Sequence, residues 1–244
     1  MRDIKFLILL IAILFCMGNA LYAADEYDLS YQGAVETVNG AIYQQWDEPE
    51  PMGTGVIDAF LGIQGSGSQH GYNTLGAIEF DTKPGCESLL LSAIPICEIG
   101  GINYREFLLD INQTSTHKIL SVDKVQIFLE TTDDVSGYPT AFSTPLYDLD
   151  SGADSYVKLS DEWGAGSGKG DMLLFVPDSL FTSAVNYNPT GNNFIYMYSM
   201  CGATFDGADG FEEWAVGCGG TIIPEPATML LLGLGSLVVF RKRR

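Results

Sequence analysis

The chain predicts an all-β fold, a single antiparallel β-sandwich of jelly-roll-like type. Three observations lead there. Its body is a series of short apolar segments separated by Gly, Asn, Asp, Ser and Pro. Within those segments the apolar period is mostly two, which marks half-buried strands. Between the two ends, no window longer than about ten residues keeps a helical period. Two hundred residues are enough to bury one sizeable core, so one domain is expected over 25–220.

The first element, residues 1–24, opens on Arg2 and Lys5 and continues with an apolar run from Phe6 to Met17. Small residues follow at Gly18, Ala20, Ala23 and Ala24. This is the layout of a secretory signal peptide, with a cut after Ala20 or after Ala23. The secretion translocon and signal peptidase are the partners it implies. Bulky Phe15 directly before Cys16 speaks against a lipoprotein signal.

Strands are expected in order at 41–46, 55–63, 75–80, 88–94, 106–111, 125–130, 172–176, 194–198 and 213–216. The clearest is 125–130, where Val125, Ile127 and Leu129 share one face. The segment 194–198, Phe-Ile-Tyr-Met-Tyr, is rich in β-formers and reads as a central strand. One turn of helix fits 179–184. Nine or so short strands with frequent turn residues suit a sandwich.

The last element, 221–244, is a spacer followed by Pro224-Glu225-Pro226, an apolar run to Phe240, and the cations Arg241, Lys242, Arg243 and Arg244. The prolines keep the approach extended, so a helix begins near Ala227. A helix over 227–240 is about 21 Å long, short against a hydrocarbon core of about 30 Å. The terminal cations hold its end on the cytoplasmic side. These three parts, adjacent and in order, resemble the PEP-CTERM sorting signal. The resemblance implies recognition by an exosortase, a membrane-embedded cysteine transpeptidase-like enzyme of bacteria that also make exopolysaccharide. It implies a cut at or near Pro224-Glu225-Pro226, inner-membrane anchoring beforehand, and delivery to the cell surface or extracellular matrix. Segments 106–112, 171–175 and 210–215 look similar to ectodomains of other PEP-CTERM proteins, which supports a shared fold and supplies no catalytic residue.

Charge narrows the partners. The whole chain carries a net charge of −19. Without the two ends, six cations face 29 acidic residues, a net charge near −23. Nucleic acid and anionic membranes are therefore disfavoured, because phosphate neutralisation needs clustered Lys and Arg. Cations and neutral polymers are favoured. Once Cys16 leaves with the signal, Cys86, Cys97, Cys201 and Cys218 remain, an even count that argues for bridges in an exported chain. Three pairings are open, and proximity favours Cys86–Cys97 with Cys201–Cys218.

Candidate chemistry is sparse. The 164–170 loop falls one residue short of a phosphate-binding loop and has Gly170 where a Ser or Thr belongs. The 65–71 loop reads as mobile surface. His70 and His117 read as solvated, and no serine sits at a nucleophile elbow. Calcium suits two oxygen-rich turns, one with Asp148, Asp150 and Asp154, the other with Asp206, Asp209 and Glu212. The first departs from the EF-hand pattern, with Gly152 at the fifth position and no closing glutamate. Tyr43, Trp46, Trp163, Tyr187 and Trp214 are candidate rings for stacking on sugars. The expected role is non-enzymatic, a structural or binding component of the envelope or exopolysaccharide. The alternative is a secreted, glycoside hydrolase-like enzyme using acidic residues such as Glu212 and Glu213. Neighbours on a strand point to opposite faces, so those two are not expected to act together.

Overall fold

The computed structural model describes residues 24–46, 58–114, 116–162, 170–208 and 210–217, which form two seven-stranded sheets packed as a sandwich. The first sheet runs β1 (Asp25–Asp28), β11 (Ser155–Ser160), β9 (Ile119–Glu130), β13 (Phe194–Cys201) and β5 (Gln69–Tyr72). Two short strands extend it, β10 (Tyr147–Asp148) beside β9 and β6 (Leu89–Leu90) beside β13. The second sheet runs β2 (Val35–Val38), β3 (Ala41–Gln45), β12 (Met172–Pro177), β8 (Ile102–Ile111), β14 (Phe211–Val216) and β4 (Ala59–Gln64), with β7 (Ile96–Ile99) beside β8. The chain changes sheet between β1 and β2, β4 and β5, β6 and β7, β8 and β9, β11 and β12, β12 and β13, and β13 and β14. That alternation is the expected jelly-roll-like habit. Among the described residues one pair breaks the antiparallel rule: β1 lies parallel to β11.

The core forms where the inner faces meet. Val125, Ile127 and Leu129 of β9 all point there, as the alternation requires, and so do Ile195 and Met197 of β13. From the second sheet come Phe107 and Leu109, Met172, Leu174 and Val176, and Trp214. Earlier in β9 the inward residues are Leu120 and Val122, so the period slips by one around Asp123. The pairing with β13 shifts register at the same point, between Met200 and Cys201, while β13 itself keeps its alternation through Cys201. This is a β-bulge, and Asp123 fixes it by accepting the backbone N–H groups of Ala203 (2.7 Å) and Thr204 (3.0 Å).

Four expectations need correction. Segment 75–80 is an irregular loop, because its apolar residues face outward: Leu75 is 56%, Ile78 51% and Phe80 48% exposed. Segment 88–94 is only the short β6 followed by a 3-10 turn, Leu91–Ala93. Residues 69–71 of the supposed mobile loop 65–71 belong to β5, with Gln69 fully buried. The expected Cys86–Cys97 bridge is absent; Cys86, Cys97 and Cys201 are free thiols. The two thiols lie on opposite sides of the second sheet. Cys86 packs against the inter-sheet core, whereas Cys97 packs on the outer face of the second sheet with Ile99, Tyr104 and Leu108. Cys201 is buried in the core beside Ser199, and Cys218 lies outside the described residues.

Strands β1, β2, β5, β7, β10 and β11 add to those expected. The helical turn is α1, Asp178–Thr182, tied to β8 by an ion pair of Arg105 with Asp178 at 2.6 Å. The signal segment up to Ala23, the glycine loop 164–169 and the tail from Cys218 to Arg244 lie outside the described residues. Among the described residues no helix is long and apolar enough to cross a membrane.

Candidate functional site

The outer face of the first sheet carries a cluster of rings. Outward alternation on β5, β9 and β13 presents Tyr72, Phe128, Tyr196 and Tyr198, and the loops 73–82 and 131–146 bring Phe80, Tyr138 and Phe142 onto them. Tyr138 stacks flat on Tyr198, with centroids 4.0 Å apart and planes 3° apart. Phe80 lies on the His70 imidazole at 4.4 Å and meets Tyr138 edge-on at 6.1 Å. Polar contacts fix the rings in place. His70 Nδ1 shares a 2.8 Å hydrogen bond with the Tyr198 hydroxyl. Tyr138 donates to Gln126 Oε1 at 2.6 Å, and Gln126 donates in turn to Asp148. The Glu79 carboxylate accepts the Tyr72 hydroxyl (2.7 Å) and the N–H groups of Gly137 (3.0 Å) and Tyr138 (3.3 Å).

Two features separate this face from ordinary packing. Phe80 stands in the left-handed region, with φ 57°, a conformation that costs a non-glycine residue about 1–2 kcal/mol. It also leaves its ring half in water, alongside Leu75 and Ile78. A ring placed for stability alone would relax inward. Sequence reasoning missed Phe80 and Tyr138 as site residues, since the rings come from four separate segments. Its one signal was the apolar content of 75–80, which has no buried face to serve.

Of the rings proposed for stacking, Tyr43 and Trp214 are fully buried in the core. Tyr43 shares a 2.8 Å hydrogen bond with Tyr147, which donates to the Val38 carbonyl. Neither is available to a ligand. Tyr187 is half-buried against the main core, Trp46 packs on the outer cluster of the second sheet, and Trp163 lies outside the described residues.

The acidic sets divide similarly. Asp148 and Asp150 are already engaged: Asp148 accepts the Gln126 amide and the Asp150 N–H, and Asp150 pairs with Lys124 at 3.3 Å and accepts the Ser155 N–H. Asp154 is exposed beside them. In the second set Asp206 is exposed while Glu212 is fully buried, and Asp209 lies outside the described residues. Among the described residues no group of three or more His, Cys, Asp or Glu side chains is placed to hold a metal ion.

Glu212 belongs instead to a buried polar network at one end of the sandwich. Its Oε1 accepts Gln69 Nε2 (2.9 Å) and Gln113 Nε2 (3.1 Å), and its Oε2 accepts the Asn112 N–H (3.1 Å). Asp171 lies nearby, with Oδ2 accepting the Ile111 N–H at 2.8 Å and Oδ1 buried without a partner among the described residues. Burial pushes the Glu212 carboxyl up to about 8, aided by the charges of Asp110 and Asp161 and opposed by the Asn112 and Gln69 donors. Burial likewise raises Asp171 well above the usual carboxylate range, with Asp110, Asp161 and Glu212 adding to it. Closed to solvent and ringed by donors, Glu212 is poorly placed to meet a substrate.

The tail decides the broader question. Residues 223–244 match the PEP-CTERM protein-sorting motif. The chain carries an exosortase sorting signal. The motif marks an exported protein, held at the membrane before an exosortase processes it. It covers only the tail; no curated protein and no solved structure matches this chain, so the sandwich is read from its own geometry.

Proposed function

We propose that the exosortase-processed sandwich acts at the cell surface or in the extracellular matrix as a binding component of the exopolysaccharide, using the ring face around Phe80. The observation that carries this reading is the strained, half-exposed Phe80 packed at a tilt against His70 and set edge-on to Tyr138. A pyranose has a flat apolar face and a polar edge. Phe80 and Tyr138 offer the first surface, and His70, Gln126 and Glu79 surround it with hydrogen-bonding groups. The occupant is a neutral sugar chain. The body's charge near −23 repels anionic polymers and a second copy alike. The exposed apolar part is three side chains, far below the roughly 800 Å² per partner of a stable protein interface. The role is one of binding; no catalytic step is assigned.

The test is affinity electrophoresis of the processed protein through gels containing a neutral glucan, a neutral mannan or anionic alginate. Retardation by a neutral polymer is expected, with none by alginate. Phe80→Ala should weaken it roughly tenfold or more, given about 25 cal/mol per Å² of apolar surface withdrawn from water. Equal migration in all gels, or retention unchanged by Phe80→Ala, would refute the assignment.

A further inference from the structure

The mature N-terminus has a place prepared for it. Strand β1 is held along its full length from Asp25 onward. The Asp25 N–H donates to the Asp154 carbonyl at 2.9 Å, the Leu29 N–H donates to the Lys158 carbonyl at 2.8 Å, and Leu29 is fully buried in the core. Lys158 pairs with Glu26 and Asp28, and the Tyr156 hydroxyl donates to Glu26. A cut beyond Asp25 would therefore tear out folded structure. Immediately before Asp25, Ala24 lies at a cavity of about 250 Å³ whose other lining residues include Asp123, Lys124, Asp150, Asp154, Tyr156 and Thr204.

That lining holds three carboxylates and one ammonium, an excess of negative charge. Lys124 is committed to Asp150 at 3.3 Å. Even so, burial raises the Asp150 carboxyl above its usual range, against the opposing pull of Lys124 and the Ser155 N–H. The Asp25–Asp154 hydrogen bond fixes Ala24 at this cavity whatever precedes it in the chain. A cut after Ala20 would leave three further residues, carrying the new amine up to about 10 Å away. A cut after Ala23 would leave it on Ala24 itself.

We propose that signal peptidase cuts between Ala23 and Ala24, and that the α-ammonium released on Ala24 binds in this acidic cavity. Water hydrolyses the Ala23–Ala24 amide; Ala23 departs with a carboxylate, and Ala24 keeps the nitrogen as an ammonium. The new charge faces Asp123 on β9, Asp150 and Asp154 on the turn before β11, and Lys124 as the one opposing cation. Maturation thereby ties the parallel strand β1 to the 148–154 turn, and the precursor, whose Ala24 nitrogen is an uncharged amide, lacks the tie. The inference rests on the reading of the chain as exported, but on no sugar ligand.

The test uses the protein recovered after export. N-terminal sequencing should give Ala24-Asp25-Glu26. A start at Leu21 would overturn the proposal while leaving export intact; an intact Met1 in the cytosol would overturn export itself. Reductive ¹³C-methylation then reads the titration of the α-amine. It should titrate above the ordinary range of about 7.7–8.0, fall back toward that range in Asp154→Asn, and return to it when the chain is unfolded in urea. An amine that titrates in the ordinary range in the folded protein would overturn the docking.

Discussion

Glu212→Gln tests whether the buried carboxyl carries a proton. An unfolded glutamic acid ionises near its ordinary value of 4.5, whereas Glu212 in the sandwich keeps its proton up to about 8. As pH rises between these values the unfolded chain loses the proton first, so stability falls with pH across that window and levels off above it. The full gap corresponds to about 5 kcal/mol at roughly 1.4 kcal/mol per pKa unit, of which about 3 kcal/mol is lost between pH 6 and pH 9. For a domain of this size that is about 6–12 °C of melting temperature. Glutamine keeps the volume and cannot titrate. It turns one amide N–H toward a donor, either Asn112 N–H or the Gln69 and Gln113 amides, at a pH-independent cost of about 1–3 kcal/mol. The variant should therefore melt lower than the parent at pH 6, show a flatter dependence, and match or overtake it near pH 9. Thermal melts by circular dichroism across that range measure both curves. Parallel curves would show that Glu212 is ionised throughout and that the reasoning about its burial is wrong.

Three further outcomes follow from the packing. Arg105→Met should cost about 3–5 kcal/mol in urea denaturation, because it strips Asp178 of its 2.6 Å partner and the Leu91 and Ile94 carbonyls of theirs. Gly210→Ala should destabilise by several kcal/mol or fail to fold, since a Cβ there would lie 1.7 Å from the Asn112 carbonyl oxygen; a melt within 1 °C of the parent would contradict the close approach. Protein unfolded without reductant and treated with a maleimide should be alkylated at Cys86, Cys97 and Cys201, identified by peptide mass; unlabelled Cys86 and Cys97 would restore the bridge that sequence spacing favours.

The core strands were legible because one face of each is buried against the opposite sheet. Val125, Ile127 and Leu129 show it most clearly, and Phe194–Cys201 follows the same rule. Strand β11 carried the same signal in Tyr156-Val157-Lys158-Leu159, inward at Val157 and Leu159, and it was obscured only by the polar residues around it. Composition misled at 65–71, where glycines and serines suggested a loop although Gln69 is needed inside to hold Glu212. It misled again at 75–80, where apolar residues suggested a strand although they serve an outward face. The buried acids were illegible for a different reason. Glu212, Asp110 and Asp171, with half-buried Asp161 nearby, meet only through the fold, and nothing local marks them. A partial clue existed in Glu212, which shares parity with the buried Trp214 and so points inward. The cysteine expectation failed on the same geometry, since proximity in sequence says nothing about which face of a sheet a side chain occupies. The sorting tail was legible because its three parts are contiguous.

The most direct test of the account is the intact mass of the protein recovered from the cell surface or medium of a host with an active exosortase, compared with the same host lacking it. With the enzyme, the processed chain should end at or near Pro224-Glu225-Pro226, with Arg241 to Arg244 gone; without it, the tail should stay attached and the protein remain in the membrane fraction. A surface-exposed or secreted protein that still ends in Arg244 in both hosts would contradict it.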